Sequence, residues 1–236
     1  MSSGPKIPED NVPDYYKKPR KEILEFIPAT CSKLLDVGCS SGAFGNLAKK
    51  TFGSEVWGID PSSSVSESAS EVLDHFIHDF FSEDLNLPKH YFDVITFNDS
   101  LEHFPNHLPP LAACHSLLKP DGVIVASIPN VRYIENLRHL LFEMDWNYED
   151  MGIRDRTHLR FFTKKSIQRT FEEAGYQVLR IKGINPRYWW WESKRFSPVQ
   201  FAIGKWIRDM NFLQFVIVAT PVKKQKSFKI SDFSKG

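Results

Sequence analysis

The stretch LLDVGCSSGAFG (34–45) constrains this chain more than any other. The apolar run KLLDV reads as a short buried strand and ends on Gly38. A second glycine, Gly42, follows at once and opens a helix in which Phe44, Leu47, Ala48 and Phe52 recur at helical spacing, with Gly53 as its stop. A strand that turns through glycines directly into a helix lets a ligand approach bare backbone. The helix start behind the turn offers unpaired N–H groups and the positive end of a dipole. Such a turn can receive a pyrophosphate or a carboxylate. The strict dinucleotide fingerprint G-x-G-x-x-G is not met, because Ser40 stands at its middle glycine.

The rest of the chain alternates. EVWGID (55–60) reads as a strand, PSSSVSESASEVL as a helix with Val65, Ala69 and Val72 inward, and HFIHDF (75–80) and YFDVITFN (91–98) as two more strands. A helix over 110–118 ends at the turn KPDG (119–122), and GVIVASIP (122–129) is a fifth strand. Residues 131–162 form an insertion with one helix over 131–143. Thr163 caps the helix KKSIQRTFEEA, which Gly175 closes. YQVLRIKGI (176–184) and FLQFVIVATP (212–221) are the last two strands. Upstream, Pro19 opens a helix that places Ile23, Leu24 and Ile27 on one face. Strands alternating with helices imply βαβ units and a mostly parallel α/β sheet. The expected organisation is one decorated domain over 19–222, a flexible arm or lid at 1–18 and a basic tail at 223–236.

Hydrophobic residues at 42% and charged residues at 25% exclude a disordered, collagen-like or coiled-coil chain. Cys31, Cys39 and Cys114 cannot make a disulfide framework and include no CxxC pair, which points to a reducing, cytoplasmic setting without structural zinc. The N-terminus has no apolar core of a secretory signal, and no window holds 18 uninterrupted apolar residues. The net charge of +1 hides an asymmetry: residues 61–110 carry net −8 and residues 151–236 net +12. The basic half suits an anionic substrate, and its lysine-rich tail suits peripheral contact with an anionic membrane. No recognised nucleic-acid-binding motif accompanies these bases, so nucleic acid is not an expected partner.

Asp60 ends the second strand 24 residues after Asp36, where an acid can accept hydrogen bonds from both ribose hydroxyls of a nucleoside. Asp79 ends the third strand, where it could bond an adenine amine with Phe80 packed on the ring. Taken in order and spacing, LLDVGCSSG, GID (58–60), HDF (78–80), FDVITFNDSLEHF (92–104) and LLKPDGVIVASIPN (117–130) resemble the successive motifs of class I S-adenosylmethionine-dependent methyltransferases. The resemblance implies a Rossmann-like seven-stranded sheet of order 3-2-1-4-5-7-6 with strand seven antiparallel. It implies S-adenosylmethionine as cofactor, with Asp36, Gly38 and Gly42 in the motif around its methionine moiety. Asp60 would hold the ribose, Asp79 and Phe80 the adenine, and Asn98 would sit beside the sulfonium amino acid.

A narrower resemblance rests on DYYKKPRKEILEFIP, SIPNV and DRTHLRFFT (155–163), which is similar to methyltransferases acting on sugars of bacterial surface glycans. It implies carbohydrate O-methylation in polysaccharide biosynthesis. Such subgroups adjoin O-methyltransferases of quinones and other small aromatics, which stand as the alternative. A non-catalytic nucleoside-binding protein or an NAD-dependent enzyme is the alternative of another class.

An acceptor hydroxyl needs a base near the C-terminal ends of the fourth and fifth strands. Two clusters qualify: Asp99, Glu102 and His103, and Asp155 with His158. The favoured reading is His158 as base with Asp155 orienting it, and His103 competes. In an extended THLRFF, His158 and Arg160 would face one way and Leu159 and Phe161 the other. Asp99, His103, Asp155 and His158 could ligate a metal, but nothing in their spacing demands one, and none is expected. Arg154, Arg156 and Arg160 suit the phosphates of a nucleotide-linked or lipid-linked sugar, against the plainer reading of surface ion pairs. Tyr188 and Trp189–Trp191 could stack on a sugar or meet a membrane interface. Tyr15, Tyr16 and Arg20 could fold over the cofactor.

Overall fold

A computed structural model describes residues 19–187, 204 and 207–222. The arm at 1–18 with Tyr15 and Tyr16, the rings Tyr188–Trp191 and the tail 223–236 lie outside the described residues.

Seven strands form one sheet: β1 (Lys33–Val37), β2 (Glu55–Ile59), β3 (His75–Ile77), β4 (Phe92–Asn98), β5 (Leu118–Pro129), β6 (Tyr176–Pro186) and β7 (Phe212–Pro221). Their order is β3-β2-β1-β4-β5-β7-β6, as the motif resemblance implied. The pairs from β3 to β5 are parallel, whereas β7 runs antiparallel to both β5 and β6. The central strands are apolar on both sides because helices cover both faces. Neighbours along a strand part to opposite faces. Leu34, Val94 and Val216 join one cluster with Ile23, Phe44 and Ala69. Leu35, Ile95 and Ile217 join the other with Leu111, Phe171 and Tyr176. The first cluster is covered by α1 (Ala43–Phe52) and α2 (Ser63–Val72), the second by α3 (Leu108–Leu117) and α5 (Lys164–Glu173).

Several elements differ locally from their sequence patterns. Residues 21–26 form a 3-10 helix, not an α-helix, so Ile23 and Phe26 are buried at a period of three while Leu24 is only half-buried. The strand expected over 75–80 stops at Ile77. His78 Nε2 meets the Pro61 carbonyl at 3.0 Å, and the Asp79 N–H donates back to the Ile77 carbonyl, so the chain turns away from the sheet. KPDG does turn, but as a bulge within β5, since Phe92 pairs with Leu118 and Val94 already with Val123. The helix expected over 131–143 is α4 (Ile134–Arg138) running into a π-turn at His139–Glu143. Thr163 caps α5 as expected, accepting from the Ser166 N–H at 3.2 Å while Ser166 Oγ accepts from the Thr163 N–H at 2.9 Å.

The insertion leaves and re-enters the fold at one place. Asn130 pairs with Phe162 in an isolated bridge, and its fully buried amide donates to the carbonyls of Asp209 and Phe212 at 2.7 and 2.9 Å. That anchor sets residues 131–161 over the C-terminal ends of β4 and β5, where ligands bind in open α/β sheets.

Candidate active site

The turn after β1 follows from three residues in the left-handed region: Gly38 (φ 75°), Ser40 (φ 49°) and Gly42 (φ 75°). A Cβ on Gly38 would lie 2.6 Å from Ser100 Cβ, so no side chain fits there. Gly42 serves differently from the sequence reading. The space it leaves is filled by Val72 and Leu73, with Val72 Cγ2 at 2.8 Å from an added Cβ, so it lets α1 approach α2 and does not clear room for a ligand. Ser40 holds a glycine's conformation at a cost of about 1–2 kcal/mol. Its N–H donates to Asp60 Oδ2 at 2.8 Å, which fixes the turn against the end of β2.

Asp60 also accepts the Ser62 N–H on Oδ1 at 2.9 Å. A carboxylate has about four lone-pair sites, so about two remain for further donors. Burial pushes its pKa up, against the pull of the Ser62 and Ser40 amides. Asp36 is wholly buried and accepts from Thr96 Oγ1 at 2.6 Å and Asn98 Nδ2 at 3.2 Å on the same oxygen. Burial raises its pKa to about 6, with Thr96 and Asn98 opposing. Asn98 Oδ1 is buried without a hydrogen-bond partner. At the far side, Asp79 Oδ1 takes the Phe80 N–H at 2.7 Å, and the Phe80 ring is 73% exposed.

Asp99 follows β4 in the left-handed region, at φ 52°. It forms an ion pair with Arg20 and accepts from Ser127 Oγ at 3.0 Å and Gln214 Nε2 at 2.6 Å. Arg20 also donates to Ser127 Oγ and Gln214 Oε1 at 3.2 and 3.3 Å. The segment before the 3-10 helix is thereby tied across β4, β5 and β7. The sequence suggested Arg20 only as part of a lid; its partner Ser127 falls inside the SIPN motif without a role assigned to it, and Gln214 carries no motif.

The 3-10 turn Leu101–His103 brings Glu102 and His103 under the insertion, where they meet His158. The His103 and His158 rings lie edge to face with centroids 4.8 Å apart. His158 Nε2 stands 3.7 Å from Glu102 Oε1. His158 Nδ1 faces the Ile153 carbonyl at 3.1 Å, and His103 Nδ1 faces the Thr157 carbonyl at 3.2 Å. Asp155 does not orient His158. Its Oδ1 accepts both the N–H and the hydroxyl of Thr157, at 2.7 and 2.6 Å, closing a local turn. The carboxylate that faces His158 Nε2 is instead Glu102, without a hydrogen bond between them. It is 1% exposed and neither carboxylate oxygen has a hydrogen-bond partner. Burial raises its pKa well above the usual carboxylate range, and the negative charge of Asp99 adds to this. Burial, then the neighbouring His158, lowers the pKa of His103. One ligand atom from each of Glu102, His103 and His158 lies within 4.8 Å of the others, so these three could hold a cation; Asp99 and Asp155 are not in that group.

Two of the three arginines follow the plainer reading of ion pairs, and the third binds a backbone carbonyl. Arg154 is buried and paired with Glu149, Arg156 pairs with Asp150 at 2.6 Å, and Arg160 Nε donates to the Pro105 carbonyl at 3.0 Å. The alternation expected in THLRFF fails as well. The Leu159 and Arg160 N–H groups both donate to the Glu102 carbonyl, so the segment is not an open strand, and Leu159, Arg160 and Phe161 are all exposed. Within the insertion the apolar side chains of Leu141, Phe142, Met144, Leu159 and Phe161 are each exposed.

A family pattern described as a methyltransferase domain matches residues 10–181. The chain belongs to that methyltransferase family. It has the class I fold, for which the motif resemblance implied S-adenosylmethionine as methyl donor. A solved S-adenosylmethionine-dependent methyltransferase from Archaeoglobus fulgidus superposes with a TM-score of 0.65 at 19% identity, over 87% of this chain and 93% of that one. A ubiquinone biosynthesis O-methyltransferase from Neisseria meningitidis is 27% identical over 159 residues, 64% of this chain and 66% of that relative. A demethylmenaquinone methyltransferase from Staphylococcus haemolyticus is 27% identical over 190 residues, 72% of this chain and 80% of that relative. The chain thus spans about two thirds of the length of the ubiquinone-type relative.

The donor fits the residues present. Asn98 Oδ1 is a buried acceptor without a partner, which an ammonium group would satisfy, and the exposed Phe80 ring would offer a face to a purine.

Proposed function

We propose that this methyltransferase O-methylates a phenolic or quinol-type small molecule. The observation that carries the reading is the Glu102–His103–His158 cluster just after β4, joined to an insertion that exposes several large apolar side chains. The quinone-biosynthesis relatives support it, and so does the engagement of Arg154, Arg156 and Arg160, which leaves them poorly suited to the phosphates of an activated sugar. Carbohydrate O-methylation is therefore the second reading.

When bound, S-adenosylmethionine supplies a methyl group already activated on a sulfonium. Asp36 and Asn98 would hold its amino-acid end beside Gly38, Asp60 would take the ribose on its remaining lone pairs, and Asp79 with Phe80 would hold the adenine. The chain's remaining tasks are to align the acceptor oxygen, exclude water and remove a proton. Burial holds His103 below its usual range, so it is neutral at pH 7 and able to accept that proton. With Nδ1 turned to a carbonyl, which can only accept, the neutral ring carries its hydrogen there and keeps a lone pair on Nε2. His158 and Glu102 lie behind it. Three unbridged, buried cysteines suit a reducing, cytoplasmic setting.

The test is calorimetry with S-adenosylhomocysteine followed by an acceptor panel. Turnover of catechols or hydroquinones, with none on glycosyl acceptors, is the expected result. The reverse pattern restores the sugar reading, and binding of NAD in place of S-adenosylhomocysteine overturns both.

A further inference from the structure

We propose that Glu102, His103 and His158 form a binding site for one divalent transition-metal ion of the zinc, cobalt or manganese kind. The inference builds on the reading of this cluster as the acceptor-facing part of the site.

Three observations carry it. First, Glu102 is buried with both carboxylate oxygens unpartnered, an expensive arrangement unless something else satisfies them. His158 Nε2 at 3.7 Å is too distant to do so by a hydrogen bond. Second, the backbone sets the tautomers. The Ile153 and Thr157 carbonyls each face an Nδ1, so both neutral rings carry their hydrogen on Nδ1 and have a lone pair on Nε2. An imidazole whose other nitrogen donates to a carbonyl is the usual arrangement of a metal-ligating histidine. Third, one ligand atom from each of the three side chains already lies within 4.8 Å of the others, close to the spacing that metal–ligand distances of about 2.0–2.2 Å require.

The ligand set also selects the ion. Two imidazoles and one carboxylate suit zinc, cobalt or manganese, whereas magnesium prefers oxygen ligands and keeps its waters. Three protein ligands leave coordination positions for a small molecule, as in catalytic metal sites. His103 is only half-buried, which leaves a way in from the acceptor side. A cation here would take over from His103 the task of making the acceptor oxygen nucleophilic. The hydroxyl binds the metal and loses its proton to solvent, the O–CH3 bond forms as the S–CH3 bond breaks, and the donor leaves as a neutral thioether.

The full chain, freed of metal with a chelator, is titrated with Co2+ while its visible absorption is followed, and with Zn2+ and Mg2+ by calorimetry. We expect one Co2+ per chain, with visible bands that report nitrogen ligation, and roughly tenfold or weaker binding of Mg2+. Glu102→Gln and His158→Gln should each lose the Co2+ spectrum while still binding S-adenosylhomocysteine, which shows that they fold. If wild-type protein binds S-adenosylhomocysteine but no Co2+, or if both variants keep the Co2+ spectrum, the metal site is refuted while the His103 base stands. Loss of S-adenosylhomocysteine binding by wild-type protein would instead overturn the donor reading.

Discussion

Replacing Asp36 by asparagine should stabilise the protein at neutral pH and disable it. The carboxyl is wholly buried in β1, and its pKa stands at about 6 against an ordinary 3.8. Keeping it ionised at pH 7 therefore costs about 3 kcal/mol, a penalty the unfolded chain does not bear. Asparagine removes that penalty. Its carbonyl can still accept from Thr96 Oγ1, less strongly than a carboxylate does, for a loss of about 1 kcal/mol. The net gain at pH 7.5 is about 2 kcal/mol, or roughly 4–8 °C for a chain of this size. The sign depends on pH. Between about pH 4 and pH 6 the folded wild type keeps a proton that the unfolded chain has released, so wild-type stability falls as pH rises through this window. Below it the wild type has no penalty and the variant only its weaker hydrogen bond. Urea melts of both proteins at pH 4.5, 6 and 7.5 should therefore show the advantage crossing to the variant. A difference that stays constant across that range, or a variant markedly less stable at pH 7.5, would refute the argument. Calorimetry should show weaker S-adenosylhomocysteine binding by the variant.

Gly38→Ala should lower stability by about 2 kcal/mol or more, because an added Cβ meets Ser100 Cβ at 2.6 Å in a left-handed conformation. A thermal melt within a degree of wild type would contradict this. Phe80→Ala should leave the melt unchanged, since the ring is exposed, yet weaken S-adenosylhomocysteine binding by about 1–3 kcal/mol if the ring stacks on adenine; equal heats would remove Phe80 from the site. Leu141→Ser with Phe142→Ser should likewise stay within about 0.5 kcal/mol in stability. The KM for an apolar acceptor should rise severalfold while that for the donor is unaffected, and an unchanged acceptor KM would place the acceptor elsewhere.

The sheet was legible because its strands obey a simple rule. Paired neighbours such as Leu34 and Leu35, or Ile217 beside Val216, are apolar on both sides, which a strand between two helical layers requires. The order of the strands came from the motif resemblance and not from such periodicity. The turn after β1 was legible because one strand-turn-helix unit brings Gly38 and Asp36 together within a few residues, and Asp60 sits at the next strand end. The acceptor side was less so. Asp155 and His158 are close in sequence, but Asp155 spends its carboxylate on Thr157, two residues away, and the acid beside His158 comes from the turn after β4. Short polar side chains close local turns readily, so proximity in sequence is weak evidence of a catalytic pair. Phe26 was missed because its segment winds with three residues per turn.

The bridge between Asn130 and Phe162 makes the proposed acceptor cover a detachable cassette. Because its two ends meet, exchanging the intervening stretch alters what sits above the sheet without altering how the sheet closes. Such a protein can acquire a new client molecule by replacing one module and leave its methyl-donor half untouched.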